Sequence, residues 1–147
     1  MKTDRTIHTR TAREAHPNCA VRSADDPLGL GLESDTSEDG TTSITVRDGL
    51  RFQGYQGRLH GGIISLLFDA AMTHCLFANG LSGVTASLNI RFLRPVISGR
   101  SITVCAQVEK QKSHLHLLKG TLHQGGELKS KAEAKFWIVS PAAGYSE

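Results

Sequence analysis

The chain predicts an α+β fold, a long central helix wrapped by a curved antiparallel β-sheet, and three observations carry that prediction. From Ile63 to Ala78 the chain is apolar around most of a helical circumference, which marks a buried helix rather than a surface one. Stretches of alternating apolar and polar residues stand on both sides of it, two before and four after. The later stretches are joined by short segments rich in turn residues, so successive strands run antiparallel. A helix apolar nearly all round must be covered on several sides, and a twisted sheet can do this. The chain lacks the strand–helix alternation of a doubly wound fold, and no internal repeat of roughly 20 to 50 residues is visible.

At 147 residues the chain suits one domain with its own core. The organisation expected is a tail or short surface element over 1–26, one α+β domain over 27–140 and a tail over 141–147. The composition is 39% hydrophobic and 21% charged, with neither a secretory pattern at the start nor an apolar run of about eighteen or more residues, which places the protein in the cytoplasm and away from membranes. Cys19, Cys75 and Cys105 are odd in number, widely spaced and without a C-x-x-C pair, against a disulfide framework or a structural zinc site. The net charge is +3 with dispersed Lys and Arg, and one Trp and two Tyr make no stacking platform, so nucleic acid is not an expected partner.

Taken in order, residues 1–26 are polar with no sustained period, and the His16–Cys19 pair is too few ligands to hold a metal. Asp25-Asp26-Pro27 reads as a turn, Leu28–Glu33 as a strand with glycines, Ser34–Gly40 as an acidic turn and Thr41–Arg47 as a β-branched second strand pairing with the first. Asp48–Gly57 is a glycine-punctuated loop that delivers the chain to His60-Gly61-Gly62 and the helix. Asn79-Gly80 and Ser82-Gly83 supply the stop and turn. Val84–Leu93 then alternates, with Val84, Ala86, Leu88, Ile90 and Phe92 on one face and Thr85, Ser87, Asn89 and Arg91 on the other. Further strands are expected at Ile102–Val108, His114–Leu122 and Lys129–Val139, separated by a polar loop at Glu109–Ser113 and a tight turn at His123–Gly126.

One feature of the helix is out of place in a buried element. Ser65, Asp69 and Thr73 fall four apart and form a narrow polar stripe on an apolar cylinder. A carboxylate there demands partners, because burying an unpaired charge is costly. Among the histidines, His60 is read as fixing the loop before the helix through a side-chain hydrogen bond, His74 as a packing residue, and His114 and His116 as one solvated strand face rather than a metal site.

The segment Gly54-Tyr-Gln-Gly-Arg-Leu-His-Gly-Gly-Ile-Ile-Ser-Leu-Leu-Phe-Asp-Ala-Ala71 and the strand Gly83-Val-Thr-Ala-Ser-Leu-Asn-Ile-Arg-Phe-Leu-Arg-Pro95 together resemble the hotdog-fold acyl-CoA thioesterases of the phenylacetic-acid-degradation type. The specific part is G-x-x-H-G-G with Asp nine residues after the His, followed by V-T-x-x-L-N-x-x-F. The resemblance implies a hotdog domain that hydrolyses an acyl-CoA thioester. Asp69 would act as nucleophile or as the base that activates water, the Gly61 amide would polarise the thioester carbonyl, and Thr85 would orient the water or the acid. It further implies substrate-binding roles for His60, Gly62, Gln53, Gln56, Arg58, Asn89 and Arg91, the arginines, with Arg94, suiting coenzyme A phosphates. No metal and no cofactor beyond the coenzyme A of the substrate is implied, and the assembly would be a homodimer joined sheet edge to sheet edge, or a dimer of such dimers forming a homotetramer, with sites at the subunit interface.

Gly54 stands where relatives of this type carry Asn or Gln, six residues before the His, so a side chain that helps orient the thioester is missing, and Gln53 or Gln56 would have to reach the same place. That departure keeps a second reading open, a non-catalytic hotdog module that binds acyl-CoA or another small ligand. A hydratase-like hotdog is a weaker third, since its D-x-x-x-x-H arrangement is absent before the helix.

Overall fold

The computed structural model describes residues 10, 19–21, 30–47 and 52–139. The turn at Asp25–Pro27, His16, most of the N-terminal tail and the C-terminal tail lie outside the described residues. The elements, in chain order, are β1 (Ser34–Thr36), β2 (Thr42–Val46), α1 (Gly61–Ala78), β3 (Ser82–Phe92), β4 (Ile102–Lys112), β5 (Leu115–Gln124) and β6 (Glu127–Val139). The strands form one six-stranded antiparallel sheet in the order β1-β2-β4-β5-β6-β3, and α1 lies across one face of it.

The helix forms where the apolar run predicts it and begins two residues earlier, at Gly61. Its end is a Schellman closure: the Leu81 N–H donates to the Leu76 carbonyl at 3.0 Å and the Gly80 N–H to that of Phe77 at 2.9 Å. Gly80 sits at φ 71°, a left-handed conformation that glycine adopts without steric cost. By length and composition the helix would suffice for a membrane crossing, with mean hydropathy 1.5, but 67% of it is buried inside the fold. Leu67, Phe68, Ala71, Met72, Cys75 and Leu76 meet Ile44, Val104, Ala106, Leu118, Leu122 and Phe136 from the inward face of the sheet in one core.

The sheet departs from the expected strands in four places. The first strand is Ser34–Thr36, not Leu28–Glu33, because Leu30 and Leu32 give their N–H groups to the carbonyls of Ala20 and Val21 instead of a sheet neighbour. Ser34–Thr36 pairs with Thr42–Ile44, so the acidic turn shrinks to the residues between. The loop expected at Glu109–Ser113 is mostly strand: Lys110, Gln111 and Lys112 pair with Leu117, His116 and Leu115. A polar surface face does not interrupt a backbone ladder, and residue polarity alone had hidden it. The β5–β6 connection is tighter than expected, Gly125 and Gly126 alone at φ 59° and 78°, the pair of positive values a two-residue hairpin requires. His116 is buried, not solvated, since it points to the helix face opposite Phe136 and Gln111.

The last departure matters most for the site. A β-bulge at Ala86 interrupts the ladder between β3 and β6, so Thr85 pairs with Phe136 while Ser87 pairs with Lys135. Phe136 points into the core, and therefore Thr85 shares the helix-facing side with Leu88 and Ile90; simple alternation had put it on the opposite side.

Helix depth is set at Gly120. A Cβ there would lie 2.9 Å from Phe68 Cδ1 and 3.0 Å from the Cys105 carbonyl oxygen, so the fully buried Phe68 ring rests on bare backbone. Gly120→Ala is expected to destabilise the fold by about 1–3 kcal/mol through overpacking, and Phe68→Ala by about 3–5 kcal/mol through the cavity it leaves. Urea unfolding of the two variants checks this; an unchanged midpoint for Gly120→Ala would sink the account of helix depth.

Candidate active site

Two stations on α1 carry the chemistry-bearing groups. The first is the N-terminus. His60 is the N-cap, with extended backbone at φ −63° and ψ 134°, and its Nδ1 accepts the Gly62 N–H at 2.8 Å. The His60 carbonyl accepts from Ile63 and Ile64. Among the described residues the Gly61 N–H has no partner, leaving a donor at the positive end of the helix dipole. Ser65 Oγ donates to the Gly61 carbonyl at 2.9 Å and so is committed to the first turn rather than to Asp69.

A cavity of about 660 Å³ opens beside this terminus, between the 52–60 loop and the 92–96 segment. Its walls include Tyr55, Leu59, Ile64, Phe92 and Val96, with Arg58 and Arg94 among the lining. A Cβ built on Gly61 would lie 3.5 Å from the Phe92 ring, so the aromatic side chain packs beside the first residue of the helix. Phe92 is 56% exposed and Tyr55 84% exposed, although both are large and apolar. Sequence reasoning gave these two no part in a site; the available signal was their position, in the loop before the helix and at the strand end before Pro95, where an apolar side chain has no core to enter.

The 52–60 loop is held from within. Gln53 Oε1 accepts the Gly57 N–H at 3.0 Å, the Gly54 N–H donates to the Arg58 carbonyl, and the His60 N–H donates to that of Phe52. Gln124, buried beneath the adjoining segment, pairs with both the N–H and the carbonyl of Ile97. Gln53 is thus engaged in shaping the loop, while Gln56 is exposed and Arg58 reaches the cavity rim. Arg94 is bound to Glu127 at 2.9 Å, and Lys129 meets the same carboxylate at 2.8 Å. The hydrogen bond from Lys129, with the charges of Lys129 and Arg94, holds the Glu127 carboxyl below the usual range.

The second station is Asp69. It lies part-buried in the middle of α1, and Thr85 Oγ1 donates to its Oδ1 at 2.5 Å. The bulge at Ala86 aims that hydroxyl at the helix. The part-buried carboxylate therefore has a strand partner, not one of the two helix residues spaced four away. Eight residues separate Gly61 from Asp69, about 12 Å of helix axis. Asn89 and Arg91 are elsewhere: they pair with Glu133 and Lys131 on the sheet face turned away from the helix and do not converge with Asp69 within one chain.

The arrangement offers a carboxylate able to take a proton or attack a carbonyl, and a separate unpaired amide able to stabilise an oxyanion beside an apolar cavity. Residues 56–131, just over half of the chain, match the family model described as the thioesterase superfamily. The acyl-coenzyme A thioesterase THEM4 of Bos taurus is 33% identical over 118 residues, 77% of this chain and 48% of THEM4. The acyl-coenzyme A thioesterase PaaI of Escherichia coli is 29% identical over 82 residues, 56% of this chain and 59% of PaaI. This chain thus spans less than two thirds of either relative. The solved structure of the E. coli PaaI protein superposes with a TM-score of 0.76 over 92% of this chain and 95% of PaaI at 21% identity. That of smu.793 from Streptococcus mutans, bound to acetyl-CoA, superposes with a TM-score of 0.69 over 82% and 94% at 17% identity.

The cap can be tested apart from any activity. His60→Ala removes the acceptor for the Gly62 N–H and is expected to cost about 1 kcal/mol of stability, whereas His60→Asn, a strong N-cap residue, keeps most of it. Chemical denaturation of both variants decides; equal losses would show that the cap is not what His60 provides.

Proposed function

The chain belongs to the thioesterase superfamily, and on that premise we propose that it is an acyl-CoA thioesterase whose active site combines Asp69 and Thr85 with a Gly61 amide. The observation that carries this is the Asp69 carboxylate, set in an apolar helix and met by a hydroxyl that a bulge in β3 aims at it. A strand distorted to serve one part-buried carboxylate fits a site better than it fits packing.

In this reading the thioester carbonyl oxygen accepts the Gly61 N–H, which takes up the negative charge that grows on it. Asp69 either removes a proton from water, which adds to the carbonyl carbon, or adds itself to give an anhydride that water then cleaves. On both routes the C–S bond breaks, the free acid forms and the coenzyme A thiolate leaves and takes a proton. Thr85 holds one carboxylate oxygen and so leaves the other to face the water or the carbonyl. The apolar cavity beside Phe92 receives part of the thioester, and Arg58 at its rim suits a phosphate. The reaction so written draws on no cofactor apart from the coenzyme A of the substrate.

A reacting thioester carbonyl must lie within about 3 Å of both the acid and the oxyanion donor. About 12 Å of rigid helix separates them in one chain, so Asp69 of one copy and Gly61 of another have to meet. Strand β3 supports this assembly, since it is an eleven-residue edge strand with a ladder side free of any neighbour among the described residues. Two copies joined along β3 would cover both edges.

The rival, a non-catalytic acyl-CoA binder, is favoured by Gly54. A Cβ at that position would meet His60 at 3.4 Å, ordinary van der Waals contact, so the missing amide side chain can be supplied by substitution.

Asp69→Asn is expected to lower kcat on acyl-CoAs by at least about a hundredfold with the fold intact. Steady-state hydrolysis across short, medium, long and aryl acyl-CoAs reads this, and no turnover by the natural chain would favour the binder. Gly54→Asn is expected to raise kcat, and a rate unchanged by it would remove the argument for the rival. Light scattering after size exclusion should give a dimer or a tetramer; a monomer that turns over thioesters would refute the shared site.

A further inference from the structure

We propose that the sheet face turned away from α1 holds a second ligand site, one that takes a phosphorylated small molecule of mononucleotide size. A groove of about 590 Å³ lies on this face, within the range of small-molecule sites and larger than a lone phosphate needs. Two cross-strand rows form its floor. In one, Gln107, Lys119, Glu133 and Asn89 stand opposite one another across β4, β5, β6 and β3; in the next, Thr121, Lys131 and Arg91 do the same. All of these side chains belong to residues that line the groove.

The charges there are unbalanced in a particular way. Arg91 and Lys131 are directly opposite in the β3–β6 ladder, an arrangement of like charges that destabilises a sheet unless something lies between them. Neither they nor Lys119 forms an ion pair among the described residues, whereas Arg94 and Lys129, at the ends of the same two strands, share Glu127 at 2.9 and 2.8 Å. Cations are thus paired where a carboxylate is placed for them, and three are left open over the groove with Glu133 as the one acid in its lining. A phosphate between Arg91 and Lys131 would relieve their repulsion and accept from both. In the neighbouring row Lys119 suits a second phosphate, while the amides of Gln107 and Asn89 and the Glu133 carboxylate suit the hydroxyl and amino groups of an attached sugar or base. The polarity of the ligand follows: its phosphates on Arg91, Lys131 and Lys119, its neutral end on Gln107, Asn89 and Glu133.

This site stands on the opposite face of the sheet from Asp69 and Thr85 and goes beyond the thioesterase reading. Calorimetric titration of the full chain with ADP tests it, with pyrophosphate and adenosine as separate arms. Saturable binding of ADP that weakens with salt is expected, with no measurable binding of adenosine. The double variant Lys119→Gln/Lys131→Gln should bind ADP about tenfold or more weakly, the loss expected for two charge-assisted contacts, while hydrolysing an acyl-N-acetylcysteamine thioester, which lacks a nucleotide, at the rate of the natural chain. No saturable ADP binding at millimolar concentration, or equal binding by the double variant, would overturn the proposal. So would a double variant whose KM rises for acyl-CoA but not for the truncated thioester, because the groove would then serve the substrate's own nucleotide. The ADP titration reads the groove even if no thioester is turned over, so the two proposals fail separately.

Discussion

The seating of Phe68 on Gly120 governs the helix side of this protein. Because Gly120 has no side chain, α1 drops until the Phe68 ring rests on the bare backbone of β5. That contact sets the depth of the helix and its rotation together. Asp69 is the next residue, about 100° further round the axis, and the rotation that buries Phe68 turns Asp69 towards β3, where Thr85 meets it. The two ends of the helix are then fixed by local chemistry, His60 at the start and the Gly80 closure at the finish.

Strand β3 answers two demands that pull against each other. As a sheet edge it has to remain extended and regular over eleven residues, yet it also has to bring a hydroxyl to the helix from a position that alternation assigns to the other face. One extra residue at Ala86 reconciles them. Residues on either side of the bulge keep their ladder with β6, and only the phase of the side chains changes. Such devices are common next to functional sites because they re-aim one side chain at little cost to the sheet.

The two faces of the sheet have separate chemistries. Its inward face is Ile44, Val104, Leu118, Leu122, Ala134 and Phe136, selected by contact with the helix. The outward face alternates with it residue for residue and carries Arg91, Lys119, Lys131, Glu133 and Lys135. Trp137 and Val84, opposite each other at one end, are large apolar residues exposed on that surface. The period of two is what separates the apolar layer from the charged one, so a single sheet presents a core to the helix and a basic groove to the outside.

Hydrophobic period and motif spacing determined a good deal without coordinates. The sixteen-residue, mostly apolar stretch of the helix, its place after two strands and before four, the superfamily signalled by H-G-G and V-T-x-x-L-N, and a His60 side-chain hydrogen bond to backbone before the helix all follow from patterns local in sequence. Local patterns carry such information because helix faces, caps and hairpins are built from residues within a few positions of one another. Five things waited for tertiary structure. The resemblance offers Thr85 as a companion of the acid, but its hydroxyl lies sixteen residues from Asp69 and reaches it only through a bulge, which leaves no mark in an alternating strand. The burial of His116 and the extension of β4 through Glu109–Lys112 depend on which neighbours a strand finds, not on its own polarity. The first strand formed at Ser34–Thr36 because Leu30 and Leu32 gave their hydrogen bonds to Ala20 and Val21. Last, Asn89 and Arg91 parted from Asp69 because a sheet has two sides, and a sequence written on one line does not say which side meets the helix.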